Sequence, residues 1–175
     1  MARKLLLAFA LLIGLLLIYA ATLPDNFRVE RKTTIKAPPE KIFALINDFH
    51  QWEAWSPWEK IDPAIKRTYS GAASGKGAAY AWAGNKDVGQ GRMEIAETTP
   101  ASKVLIKIDF TAPMEAHNLI EFTLAPQGDS TVVTYAMHGP SPYVAKLMHL
   151  VFSMDKMVGS KFEEGLGNLK GLAEK

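Results

Sequence analysis

No cysteine occurs among the 175 residues. That absence excludes a disulfide framework, a thiol nucleophile, cysteine-ligated zinc and a lipidated cysteine anchor. Excess charge of one sign is also missing: 20 Lys and Arg against 18 Asp and Glu leave +2. So balanced a chain lacks the electrostatic footprint of a nucleic-acid binder. Phosphate-loop, G-x-S-x-G and H-E-x-x-H patterns are absent too, and the four histidines (His50, His117, His138, His149) have no metal-ligand spacing. They are expected at the surface, and no cofactor or metal is expected.

What is present divides unevenly. Of 84 apolar residues, 19 fall in the first 24, which leaves 65 in the 151 from Asp25 onward, about 43%. Arg3 and Lys4 are the only charges before Asp25, so the remainder is neutral. Residues 5–23 carry no charge, and as a helix rising ~1.5 Å per residue they nearly span a ~30 Å hydrocarbon core. A cleaved secretory signal shares the basic start, but its apolar core is shorter and ends at small residues. Here the run is long and ends in a poor cleavage site, which favours an uncleaved single-pass anchor over residues 1–24. Pro24 argues against a core helix of the following domain. Arg3 and Lys4 favour a periplasmic or otherwise extracytoplasmic domain, although Arg28, Arg31, Lys32 and Lys36 follow closely and the positive-inside rule does not decide.

Residues 25–175 read as one domain. Residues 27–36 alternate as a half-exposed strand, with Val29, Arg31, Thr33 and Ile35 on one face. Ala37-Pro38-Pro39-Glu40 opens a helix with an apolar stripe of Ile42, Phe43, Ile46 and Phe49. Six strand-like segments follow, at 64–71, 77–83, 90–98, 103–110, 115–125 and 131–138, separated by Gly, Pro and Asn turns as in an antiparallel meander. Ser141-Pro142 then starts a long amphipathic helix whose arc holds Val144, Met148, Val151, Val158, Phe162, Leu166 and Leu169. A break is possible near Phe152-Ser153-Met154-Asp155. The order predicts an α+β domain, a curved antiparallel sheet closed by the C-terminal helix.

All four tryptophans lie between Trp52 and Trp82, with Tyr69 and Tyr80 among them. Such a cluster either walls an apolar ligand site or fills a core. Asp155 is the one acid on the apolar arc. A buried carboxylate there needs a partner. It would orient a polar ligand group or act in proton transfer, or else form a structural ion pair with Arg92 or Lys156, or cap the helix after Ser153.

Ile35-Lys36-Ala37-Pro38-Pro39-Glu40-Lys41-Ile42-Phe43, Asp48-Phe49 and Trp52…Trp55-Ser56-Pro57-Trp58 resemble the START-like SRPBCC superfamily, in its polyketide cyclase/dehydrase and lipid-transport-like branch. So do Tyr69-Ser70-Gly71, residues 80–85, 88–93, Gly128 with 131–135, and the closing 162–170. The resemblance covers nearly all that follows residue 24. It implies a helix-grip fold: seven antiparallel strands around the last helix, enclosing a cavity for lipids, polyketides or other apolar molecules. It implies no single activity. Where such relatives have a tryptophan on the last strand, this chain has Tyr135, and an anchor is not part of the superfamily's core pattern.

Strand faces together with that fold nominate Trp55, Trp58, Tyr80 and Trp82 as ligand-binding. Met93, Ile106, Phe110 and Asn118 join them, as do Phe122, Tyr135, Met137 and Asp155. The reading adopted is a membrane-tethered, non-enzymatic binding module for a hydrophobic small molecule or lipid. Its alternatives are a cyclase or dehydratase using Asp155 or Asn118 with a tyrosine, and a protein-interaction module with a filled core.

Overall fold

The structure, a computed structural model, describes residues 2–151 and 153–175, and only the backbone of His149 and Val151. Phe152 and the side chains of His149 and Val151, which entered the expectations above, lie outside the described residues. Helix α1 (Ala2–Thr22) is almost wholly exposed, long and apolar enough to cross a membrane, with a mean hydropathy of 2.6. It ends just before Pro24, whose ring cannot continue the hydrogen-bond ladder.

Strand β1 (Asn26–Ile35) follows, then α2 (Pro39–Ile46), a 3-10 turn (Phe49–Gln51), the short α3 (Trp52–Trp55) and a second 3-10 turn (Pro57–Lys60). The meander consists of β2 (Lys66–Gly71), β3 (Ala78–Ala83), β4 (Gln90–Thr99), β5 (Lys103–Ala112), β6 (Ala116–Gln127) and β7 (Ser130–Pro140). All pairings are antiparallel, in the order β1-β7-β6-β5-β4-β3-β2. The chain thus leaves one sheet edge at β1, crosses through the helical segment to the far edge, and winds back until β7 lies beside β1. This is the seven-stranded helix-grip architecture that the sequence predicts, with strand ends differing by one to two residues.

The expected C-terminal helix is two. Helix α4 (Tyr143–Val151) and α5 (Met154–Ala173) meet at Ser153, whose hydroxyl accepts from the Lys156 amide and caps α5. The break turns α4 away from the sheet, so Val144 and Met148, expected on the core arc, are exposed. Tyr143 instead donates its hydroxyl proton to the Leu17 carbonyl of α1 at 2.9 Å, and Lys146 pairs with Asp25 at 2.6 Å. Helix α5 keeps the arc. Phe162, Leu166 and Leu169 are buried against the sheet and α3, each contributing about 1.5–3 kcal/mol.

Candidate functional site

The site begins with two indoles that hold the helical segment together. Trp52 Nε1 donates to the Ile46 carbonyl at 2.9 Å, and Trp55 Nε1 to the Leu45 carbonyl at 3.0 Å. Both acceptors lie in the last turn of α2, where carbonyls lack helical partners. The spacing of two tryptophans three residues apart in α3 therefore satisfies one helix end while burying both rings. Pro57 then turns the chain so that Trp58 and Glu59 meet the sheet. On the other side Asn168 donates to the Trp55 carbonyl at 3.0 Å, fixing this segment to α5.

Between the segment, the sheet and α5 lies an apolar cavity of about 120 Å³. One wall is Trp52, Trp58, Tyr80, Trp82 and Phe110, with Tyr80 and Trp82 stacked at 6.1 Å and Trp82 edge-on to Phe110 at 5.7 Å. Gly91, opposite Trp82 in the β3–β4 register, makes that wall possible, because a β-carbon there would strike the indole and the Asp109 carbonyl. The facing wall is Ile120, Tyr135, Met137 and Phe162; Met93 and Ile108 lie on the strands between. Trp58, Val88, Phe110 and Val158 are only half-buried and form its rim.

One carboxylate interrupts the apolar lining. Glu59, 8% exposed, accepts from the Tyr80 hydroxyl and from Arg67 Nε, both at 2.7 Å. Each partner registers that charge. Burial and the bond to Glu59 push the Tyr80 phenol far above its usual range, and Arg67's own bond to Glu59 raises the guanidinium. Tyr80 is thus a neutral donor at working pH, and Arg67 compensates Glu59. Ser56 also lines the cavity, and its hydroxyl makes no capping bond to the turn it precedes.

Of the residues nominated from sequence, Trp58, Tyr80, Trp82, Met93, Phe110, Tyr135 and Met137 surround this cavity. Trp55, Ile106 and Phe122 do not: they are at most 1% exposed in the closed core, with Phe122 stacked behind Tyr135 at 4.2 Å. Asn118 is half-buried away from the lining, its amide oxygen against Gly139. Asp155 is the clearest correction. Its side chain is 64% exposed and forms a two-oxygen pair with Arg31 at 2.8 and 3.0 Å, rather than with Arg92 or Lys156. Arg31 holds its carboxyl below the ordinary range. The helical arc placed Asp155 beside Val158 but could not show that Arg31 of β1 takes its carboxylate at an exposed position in the first turn of α5.

Sequence reasoning missed Glu59 and Ser56, though both sit within or beside the Trp55-Ser56-Pro57-Trp58 motif. It also missed Trp52, Ile65, Val88, Ile108, Ile120, Val158 and Phe162 as lining residues. Ile108 lies between the nominated Ile106 and Phe110 on the same face of its strand, so that signal was available. His50 and His117 are exposed and bound to Asp48 and Asp109 at 2.9 and 2.6 Å. Among the described residues no group of three His, Asp or Glu is arranged for a metal.

The same architecture recurs in solved structures. A Chromobacterium violaceum protein superposes with a TM-score of 0.60 at 16% identity, covering 87% of this chain and 99% of its own. A Mesorhizobium loti protein gives 0.60 at 18% identity over 83% and 96%. The Aha1 dimer from Colwellia psychrerythraea gives 0.57 at 19% over 85% and 96%. At these identities the likeness concerns the fold alone. No curated protein matches the chain. Residues 26–174 match the family described as polyketide cyclase / dehydrase and lipid transport. With its seven-stranded sheet gripping α5, the chain belongs to that family, of the START-like SRPBCC type.

Proposed function

We propose that this chain is a membrane-tethered binding protein whose cavity between sheet and α5 holds a small hydrophobic molecule or one end of a lipid. Residues 1–24 are the anchor, residues 25–175 the binding domain, and the domain lies on the periplasmic or other extracytoplasmic side. The observation that carries the reading is the cavity itself. Its 120 Å³ approaches the ~150 Å³ of an engineered apolar cavity that takes up benzene, and lies below the ~300–1,000 Å³ of drug-sized sites. One ring or a short alkyl end fits, with any larger remainder passing between the rim residues. The family's description, which includes lipid transport, supports the same reading. Tethering is supported by exposed, apolar α1 and by α4, whose exposed Val144 and Met148 lie on the element bonded to it.

Binding without catalysis is favoured because Glu59, the one carboxylate lining the cavity, is already engaged by Arg67 and Tyr80. A catalytic version of this site would rest on that pair rather than on Asp155 or Asn118. Native mass spectrometry of the full chain, gently extracted from membranes, tests the proposal. An apolar molecule that co-purifies supports it, and repeated preparations with neither such a molecule nor uptake of benzene-sized probes overturn it. Release of the chain from membranes by alkaline carbonate would overturn the tether alone.

A further inference from the structure

Tyr135 stands on β7, 3% exposed, with its ring between Phe122 at 4.2 Å and Phe162 at 3.7 Å. Two nearly parallel neighbours fix the plane of the ring and with it the position of the hydroxyl. Among the described residues nothing hydrogen-bonds that hydroxyl, and burial alone raises its pKa, so it remains a neutral O–H. It is not sealed in. Asn47 Oδ1 is the one enclosed side-chain polar atom without a partner among the described residues; the Tyr135 oxygen is not so enclosed, and its residue lines the cavity. A buried hydroxyl without a partner destabilises the empty protein, and phenylalanine would fill the same volume without that penalty.

We propose that Tyr135 selects the chemistry of the ligand: its hydroxyl donates to the carbonyl oxygen of an otherwise apolar ketone or ester. The inference rests on the cavity being a ligand site. A carbonyl suits the place better than an alcohol because Ile120, Met137, Val158 and Phe162, which line the cavity beside Tyr135 from β6, β7 and α5, offer no oxygen or nitrogen acceptor, so an alcohol that accepts from Tyr135 would keep its own hydrogen unpaired. A carbonyl has no hydrogen left to satisfy.

The test uses the full chain in lipid nanodiscs and three probes of one skeleton: acetophenone, its hydrocarbon isostere α-methylstyrene, and 1-phenylethanol. Partition of each probe into lipid is common to both proteins and cancels between them. In Tyr135→Phe the preference for acetophenone over α-methylstyrene, as a ratio of dissociation constants, should fall roughly three- to tenfold. The carbonyl stretch of bound acetophenone should lie at lower frequency in the wild type than in the variant. The ligand-free variant should melt at or above the wild type. An unchanged ratio with both probes bound overturns the role of Tyr135 and leaves the cup intact. A larger loss for 1-phenylethanol overturns the carbonyl assignment, and a lower melting temperature shows a structural hydroxyl and overturns it as well. If no probe binds the wild type, the cavity reading fails and the proposal with it.

Discussion

The guanidinium of Arg31, on β1, lies over the backbone of Gly159 on α5, in the space that a β-carbon would occupy. From there it bonds Asp155, four residues earlier on the helix, and Glu163, four residues later. One bare helical position thus lets a strand residue clasp two acids that lie about two turns apart on the helix it packs against.

In Gly159→Ala the nearest atoms to the methyl group all belong to the flexible end of Arg31, so the fold should persist. Removing a mid-helix glycine contributes about 1 kcal/mol, which offsets part of the lost ion pairing. The signature is electrostatic: by NMR titration the Asp155 carboxyl should return upward toward its ordinary value. Because Arg31 lowers that pKa in the fold, the pair's contribution is complete above about pH 4 and fades as pH falls through the lowered value. The melting temperatures of wild type and variant should therefore draw together in acid. Divergence in acid would contradict the clasp.

Glu59→Ala leaves Arg67 without its carboxylate and the Tyr80 hydroxyl without its acceptor. Urea denaturation should show a loss of about 3 kcal/mol, as for a broken buried pair. Tyr80→Phe, which strands only one lone pair of Glu59, should cost about 1–2 kcal/mol. Equal stabilities would mean that the cluster is solvated.

Gly91→Ala should destabilise by about 1–3 kcal/mol through overpacking, since the new methyl meets both the Trp82 ring and the Asp109 backbone. Tryptophan fluorescence should shift as the indole moves, and probe uptake should weaken. A neutral effect on both would show that the Trp82 wall is loosely held.

Val158→Phe places a ring at the rim of the cavity from α5. Filling a void commonly adds about 0.5–2 kcal/mol, so the variant should melt higher while uptake of acetophenone falls at least tenfold. Asp155→Asn, by contrast, should leave uptake unchanged, because Asp155 lies outside the lining. Retained uptake in Val158→Phe would place the entrance elsewhere.

The order of elements was legible because it is written in local patterns. Inward alternation of Val104, Ile106 and Ile108 identifies a sheet face, Ser141-Pro142 a helix start, and an uncharged 19-residue run an apolar helix. Tyr80, Trp82 and Tyr135 were legible as inward aromatics from their strand faces and the fold that the resemblance implies, and Trp58 from that fold alone. Periodicity could not separate Phe122, in the closed core, from its stacking neighbour Tyr135, at the cavity, since both face inward.

By itself the cysteine-free, charge-balanced sequence determined an apolar N-terminal helix and a helix-grip domain without thiol or disulfide chemistry. Tertiary structure alone decided which inward side chains meet open space, because that depends on sheet curvature and on how closely α5 approaches. It also decided partners. Arg31 finds Glu163 across 132 positions, and Glu59 finds Tyr80 across 21. Such pairs are set by where the crossing segment and the helix lie on the sheet, and no spacing along the chain encodes that distance.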